Sequence, residues 1–581
     1  MRMRRCCTVG ARRSQRGAIA LLAAVWVSLA IIALGAVDIG HFYYARRDLQ
    51  RTADLAASAG VQLIGSAGGC ATATSTAQLN ATANGLPADG IVQTTCGRWD
   101  PSANAGGSYF VASGAPLNAL QVVVGRPVPF LFLIGQTRNL TASAVAQATN
   151  IRSFSLTTSI ASLSGGLVNG VLNGLLNTNL SLDVASYQGL ATAQVKLSDL
   201  AAALGVASMS QLLKAQVTVG QLASAMATAL GQGNLASASV SAINGLQTIA
   251  SASTGSTSIN LGDKTGTSGL LAIGLANPEA AASATVNALD ALMVAAEIAH
   301  GSAAVNLGTA LNLGPLASVT AQARVLQPPV IAVGEAGTDA NGKPRTSAHS
   351  ATIRLYLNVK LLNVSIPSLV NISALNLPIY LEVAQGTADL QSTQCSTQKS
   401  TSYSWVSAKP GLTTLCVSGD ASSNLTNTTG PASCSQPAQL TSVSMPLISL
   451  NAIDVSVGNS PASGFTATFQ AQQQTVFKFN NVTGDSDDYQ STDTNGLGSA
   501  AGGLVSQLAS GLAGSMHATA LGLDVTALAG PLFTGLAALL TPVLNSLDLL
   551  LVPLLQLLGV QVGVSTVHDL GLACGQAQLV Y

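Results

Sequence analysis

The sequence predicts an α+β protein in which an N-terminal transmembrane helix continues into an exported, strand-rich domain with helical segments. Three observations carry that expectation. Ala18 to Val37 is a run of twenty residues without a charge, and as a helix it spans roughly 30 Å, the thickness of a bilayer's hydrocarbon core. Behind it come runs rich in alternating apolar and polar side chains, such as SVTAQARVL and ATIRLYLNVKLLNV, which read as strands. Interspersed segments such as LSDLAAALG, MSQLLKAQ and QLASAMATALG carry the helical period instead.

The chain has 581 residues, of which 48% are apolar and only 8% charged, against about 25% charged in an ordinary soluble domain. So much apolar surface can be buried to offset chain entropy, which excludes a disordered chain. Nucleic-acid binding is excluded on charge, because phosphate affinity needs clustered Lys and Arg and the 8 Lys are scattered. The 24 basic and 24 acidic side chains cancel. That neutrality hides a sorting: residues 1–37 hold six Arg and no acid, so the remainder is net negative by the same amount.

The elements follow in order. Residues 1–17 form a basic leader and 18–37 the anchor, with Ala18, Trp26 and Val37 marking its start, middle and end. Six Arg precede the span, whereas Arg46, Arg47 and Arg51 after it are interleaved with Asp38, Asp48 and Asp54. The positive-inside rule then keeps the N terminus cytoplasmic and exports the rest, with His41, Tyr43 and Tyr44 at the interfacial belt. A cleaved signal peptide has a shorter apolar core, about 7–15 residues, ending in a small-x-small site; an uncleaved anchor is expected here. Residues 38–66 continue the helix outward until Gly68 and Gly69 stop it. Region 67–150 reads as small and strand-rich, interrupted by Pro127 and Pro129, and 151–302 as mostly helical, with Gly301 closing the helix over 284–301. Region 303–480 reads as strand-rich, with a Ser/Thr/Asn/Gly loop over 418–435. Within 481–581, the apolar stretches 527–547 and 549–564 are separated by Asp548 and punctuated by Pro531, Pro542 and Pro553. No basic residue follows Lys478 to fix a returning span, so two short helices and a final strand are expected. No fixed-period repeat is evident.

The front of the chain carries a resemblance. Arg16-Gly17-Ala18 precedes the span, Val37-Asp38-Ile39-Gly40 ends it, and the emerging helix reads Leu49-Gln50-Arg51-Thr52-Ala53-Asp54-Leu55-Ala56-Ala57-Ser58-Ala59-Gly60. Together these resemble the N-terminal segment of TadE/G-like proteins of bacterial tight-adherence (Tad, Flp) pilus assembly. Residues 180–200, 287–301 and the ending VSTVHDLGLACGQAQLVY resemble the later part of TadG-like members. The resemblance implies a membrane-anchored structural component of pilus assembly, with Gly17, Asp38, Gly40, Leu49, Gln50, Ala53, Asp54 and Ala57 as the family segment. Its expected partners are the inner membrane, pilins or other pilus-assembly proteins, and further copies of the chain, with no nucleic acid and no cofactor. The alternative is an anchored surface adhesin that binds ligands directly. Prepilin-like members are cut after a Gly and carry Glu at the fifth mature position. Counting from Gly17 that position is Leu22, and no acid precedes Asp38, so the leader is expected to be retained.

Cys6 and Cys7 fall in the leader, where thiols stay reduced, and six cysteines fall on the oxidising side: Cys70, Cys96, Cys395, Cys416, Cys434 and Cys574. Proximity suggests Cys70–Cys96, then Cys416–Cys434 or Cys395–Cys416, with Cys574 taking the remainder. Their spacings are not those of zinc sites.

No constellation reads as a catalytic or metal site. Gly337 to Lys343 matches the phosphate loop for seven positions, but Pro344 stands where Ser or Thr must bind magnesium; a solvated hairpin-like loop around Asn341-Gly342 explains it. Glu297 and His300 have ExxH spacing, yet a di-iron bundle needs a second such pair, so a polar patch at a helix end is expected. Some TadG-like relatives carry a von Willebrand A-type domain whose metal site begins DxSxS; here Asp454 and Ser456 are followed by Gly458, which removes a ligand. Asp485, Asp487, Asp488 and Asp493 lack the Gly and terminal Glu of an EF-hand and read as a solvated loop, with weak calcium binding as the other reading. The five His (41, 300, 349, 517, 568) form no recognisable triad, and there is no GxSxG or HExxH; an enzyme is not expected. Gly166, Gly170 and Gly174 permit close helix approach, but Asn169, Asn173 and Asn177 mark a helix packed within protein.

Overall fold

The computed structural model describes residues 16–104, 108–132, 136–156, 165–232, 237–264, 266–306, 317–366, 370–427, 433–445, 450–469, 473–492, 511–512, 514–558 and 564–580. Helix and strand are nearly balanced at 35% and 37%, an α+β fold. Two compact units divide the chain: residues 1–99, 103–148 and 576–581 form one, and 100–102 with 149–575 the other. Cys6, Cys7 and most of the basic leader lie outside the described residues.

The first unit is built on helix α1 (Arg16–Val61), 46 residues without a break. Residues 17–37 are exposed around the whole circumference. From Asp38 onward one face is buried, through Ala45, Leu49, Thr52, Ala53, Ala56, Ala57 and Val61. These recur at three- and four-residue steps, the stripe a helix needs to lie on a sheet. Helix α2 (Gly69–Ala83) packs beside it through Ala73, Ala77 and Ala81. A Cβ on Gly60 would meet Leu120, the Ala73 carbonyl and Ala77 at under 3 Å, so the two helices touch where only glycine fits.

Three expectations change here. The emerging helix ends at Val61, and Gly69, with a positive φ of 53°, opens the next helix instead of stopping the first. Region 67–150 therefore begins with a helix, because Ala73, Ala77 and Ala81 at four-residue spacing pack against α1 and outweigh the weak helix preference of the Thr and Ser between them. The sheet follows with β1 (Ile91–Trp99), β2 (Phe110–Ala112), β3 (Ala119–Pro129) and β4 (Thr137–Gln147), in the order β2-β1-β3-β4, and Gln578–Val580 closes its edge against β4. β3 runs through Pro127 and Pro129 rather than being interrupted by them. On that side β1 reaches only to the pair Ile91↔Gly125, so neither proline removes a ladder bond.

Among the described residues the second unit holds two large sheets, two four-stranded ones and the two-stranded pair Gln194–Lys196 with Thr285–Asn287. A seven-stranded mixed sheet runs in the order Tyr489–Ser491, Thr566–Ala573, Ile151–Leu156, Ile331–Gly334, Gly269–Gly274, Ser258–Gly262, Gln216–Thr218. A six-stranded antiparallel sheet has the long pair Thr352–Ile366 and Val370–Val383 at its centre. One large apolar core joins these sheets to the helices between residues 165 and 300. Region 151–302 thus opens with a strand, and its helices alternate with short strands. Within it Val195, Val217 and Val286 each sit in a three-residue strand that feeds directly into a helix. Thr218 forms a capping box with Gln221, and Asn287 accepts from the N–H groups of Leu289 and Asp290.

Two further readings are corrected. The stretch 418–435 includes a short helix, Ala421–Thr426. The apolar stretches after Ala527 form a single helix, Gly530–Leu557, rather than two. Leu532, Leu536, Leu540 and Leu544 recur every four residues and are buried in the core, so Pro542 is accommodated on the opposite, exposed side. Among the described residues α1 alone is long and apolar enough to cross a membrane.

Three disulfides are formed: Cys70–Cys96, Cys416–Cys434 and Cys395–Cys574. The last closes a separation of 179 residues, where the chain-entropy gain is largest. Replacing Cys395 and Cys574 together by Ser should lower unfolding stability by about 2–4 kcal/mol; equal denaturation midpoints for the pair-free and parent chains would refute this.

Candidate assembly surface and the buried polar cluster

In the family segment the structure separates residues that pack inward from residues that are bare. Leu49, Ala53 and Ala57 are buried on the sheet. Gln50 donates from Nε2 to Asp54 Oδ1 at 2.8 Å and to the Ser143 carbonyl at 3.0 Å, tying the helix to β4. Asp38 is buried, and its Oδ1 accepts from the backbone N–H of Leu131 at 2.8 Å. Gly17 and Gly40 have nothing within 4 Å of a would-be Cβ. Ala18, Trp26, Val37, Tyr43 and Tyr44 are exposed, the two tyrosines by 70% and 71%. The outward-facing set therefore runs from residue 17 to the tyrosines, and the later half of the segment is used up inside its own unit.

The helix carrying Gly166, Gly170 and Gly174 spans Gly165–Leu176. Asn169 exchanges two hydrogen bonds with the Leu182 backbone, both at 2.9 Å, and Asn173 holds the Leu180 backbone in the same way. The amides imitate a strand neighbour and fasten residues 180–182 along the helix.

The second unit contains a buried charged cluster that sequence reasoning missed. Arg152 is fully buried and pairs with Asp569 on the adjacent strand, while its Nη2 donates to the Asn480 carbonyl. A bulge between Asp569 and Gly571 turns the carboxylate toward the arginine. Beside it Asp290 Oδ2 accepts from Ser155 Oγ at 2.7 Å and lies 2.8 Å from His568 Nδ1. Tyr489 stacks on the His568 ring at 4.0 Å. Burial pushes the Asp569 carboxyl up to about 6 against the opposing pull of Arg152, and burial also raises Tyr489. Ser155 hydrogen-bonds the aspartate rather than the histidine, and all three side chains are sealed from solvent. This is the reverse of a nucleophile presented to a substrate. The cluster instead joins four distant segments, around residues 152, 290, 488 and 569.

The remaining candidates stay apart. The Gly337–Lys343 loop is a turn in which Asp339 Oδ1 accepts from the N–H groups of Asn341 and Lys343, with Gly337 and Gly342 at positive φ. Glu297 is not part of a polar patch: it is buried, its Oε2 has no partner, and burial alone raises its carboxyl well above the ordinary range. His300 turns away to the Leu175 carbonyl at 2.9 Å and lines a cavity of about 660 Å³ with Asn177, Ser253 and Thr257. Asp454 takes the Ser442 hydroxyl on a neighbouring strand, and Ser456 pairs with His517 across the sheet. Asp485, Asp487 and Asp488 gather their carboxylates within 4.8 Å, with Asn480 donating to the first two; Asp493 lies outside the described residues.

The class defined by these features is a protein with one N-terminal apolar helix of membrane-spanning length ahead of a large, disulfide-bonded α+β body. Residues 17–73 match a family model described as Flp pilus-assembly TadE/G-like, and residues 58–146 match one described as Tad-like Flp pilus-assembly. Residues 17–146 thus carry the domains of TadE/G-like proteins of Tad pilus assembly. Residues 164–297, which hold the strand-and-helix units, match a domain of unknown function (DUF8293). No curated protein and no solved structure matches the chain. The signal for the strand-and-helix units was present in the sequence as Val195, Val217 and Val286, each five residues ahead of a buried helix position at Leu200, Leu222 and Ala291.

Two outcomes test this site. Arg152→Met leaves Asp569 buried without its partner and should cost about 3–5 kcal/mol, most of it recovered in Arg152→Met with Asp569→Leu; denaturation curves of the three chains decide. Glu297 binds its proton more tightly folded than unfolded, so the parent chain should lose stability as pH rises above the ordinary carboxylate value of 4.5. Glu297→Gln removes that loss, and identical pH profiles for the two chains would refute the assignment.

Proposed function

We propose that this chain is a membrane-anchored structural component of the tight-adherence pilus machine, acting through packing rather than catalysis. The observation that carries the reading is the division of α1: its first half is apolar and bare on every side, and its second half is buried in its own unit. A bare helix of that composition is stable only in lipid or against other membrane helices. The helix crosses the inner membrane once, with the Arg-rich end cytoplasmic by the positive-inside rule and the body exported, where the three disulfides form. The exposed face of residues 17–44 then packs laterally against pilins, other assembly proteins or further copies of the chain, as pilin helices do.

Deleting residues 18–60 would also remove the core residues Ala45 to Ala57, so a single substitution is the sharper test. A Cβ on Gly40 would meet nothing within 4 Å, so Gly40→Leu should leave the chain folded and membrane-retained. Pili should be lost if this face packs against a neighbouring helix; normal piliation by electron microscopy would refute the lateral-packing mechanism. A null strain with normal pili but no attachment would favour the adhesin reading instead.

A further inference from the structure

We propose that the tip of the β3–β4 hairpin, Phe130 to Phe132, is a second membrane contact, seated in the bilayer interface beside the point where α1 leaves it. The proposal rests on the reading that residues 18–37 of α1 span the membrane. The occupant it assigns to the tip is phospholipid, with acyl chains against the apolar side chains and headgroup phosphates against nearby arginines.

The hairpin descends along the helix toward that boundary. Ser143 on β4 meets Gln50, Arg126 on β3 lies 3.7 Å from Asp48, the Phe130 ring sits edge-on to Phe42 at 4.6 Å, and Leu131 N–H reaches Asp38. From residue 48 to residue 38 the helix covers about 15 Å at its rise of 1.5 Å per residue. From residue 126 to residue 131 the strand covers about 16 Å at 3.3 Å per residue. The two distances agree, so the strand follows the helix axis, and its tip arrives level with residue 38, one position past the span.

The chemistry of the tip is wrong for water. Hairpin turns in solvent favour Gly, Asn, Asp and Ser, whereas this one carries Phe130, Leu131 and Phe132 after Pro129. Leu131 and Phe132 are 51% and 46% exposed, so they cover no core of their own unit. An apolar patch held rigidly outward marks an interaction surface, and the Asp38 bond and the Phe42 contact hold this one at a fixed depth. Around it stand the exposed Tyr43 and Tyr44, together with the exposed Arg46, Arg47 and Arg138. Aromatic and basic side chains within about 14 Å of the end of a span, at 1.5 Å per helix residue, are the composition of a membrane–water interface. A helix with a fixed side contact cannot tilt or rotate freely, so the tip would set the angle at which the first unit stands on the bilayer.

The test uses the full-length chain in vesicles of phosphatidylcholine and phosphatidylglycerol, with quencher lipids carrying a nitroxide either near the headgroup or near the chain end. In a chain carrying Trp26→Phe, Trp99→Phe and Trp405→Phe, Phe132→Trp should lose emission to the headgroup-proximal quencher and less to the deep one. Leu79→Trp, on the exposed side of α2 in the same unit, should lose none. An unquenched Phe132→Trp, in vesicles where a chain keeping Trp26 alone (Trp99→Phe with Trp405→Phe) is quenched, overturns the tip proposal and leaves the anchor intact; the tip then faces another protein. Failure of quenching at Trp26 as well overturns the anchor reading and the proposal together.

Discussion

A single helix is bare along its first half and packed along its second, and the first unit is arranged around that division. Over residues 17–37 every face of α1 is bare and uncharged, a length and composition that fit the hydrocarbon core of a bilayer. Past Val37 the same helix must hide one face, and it does so with alanine more than with leucine. Each alanine contributes little burial, but small side chains let the sheet and α2 approach closely. Position along the helix is then set by polar contacts, with Asp38 at one end and Gln50 further up. The change from a bare helix to a packed one thus occurs within about one turn, at the residue that also receives the β3–β4 hairpin.

The second unit answers a different problem, which is to bring the end of the sequence back to its beginning. Thr566–Ala573 pairs with Ile151–Leu156 across more than four hundred residues of chain. Strand pairing of that kind is weakly specified by local sequence. The buried Arg152–Asp569 pair supplies the register, since a one-residue slip would leave both charges unpaired at large cost. Cys395–Cys574 holds the same segment from another direction.

Much of this was legible in the sequence because it depends on local pattern. The span shows in Ala18–Val37, the strands in alternation through 317–383, and the helix end at Gly301 in a single glycine. The departures share one physical cause, a neighbour supplied by distant chain. Residues 69–83 have the composition of a loop or strand and become helix because α1 offers a surface for Ala73, Ala77 and Ala81. Pro127 and Pro129 stay in a strand because β1 stops short of them. The apolar stretches flanking Asp548 join into one helix whose leucine face is taken into the core.

By itself the sequence determined the membrane-length helix, its charge asymmetry, the α+β character and the family segment of the pilus-assembly protein. Each depends on composition or spacing within some twenty residues, the range over which helix period and hydrophobic length act. Only the tertiary structure decided which residues of that segment are spent on packing and which face outward. It alone paired the cysteines, buried Arg152 against Asp569 and left Glu297 without a partner. Those outcomes turn on burial, which is set by what the rest of the chain places against a residue and not by the residues beside it in sequence.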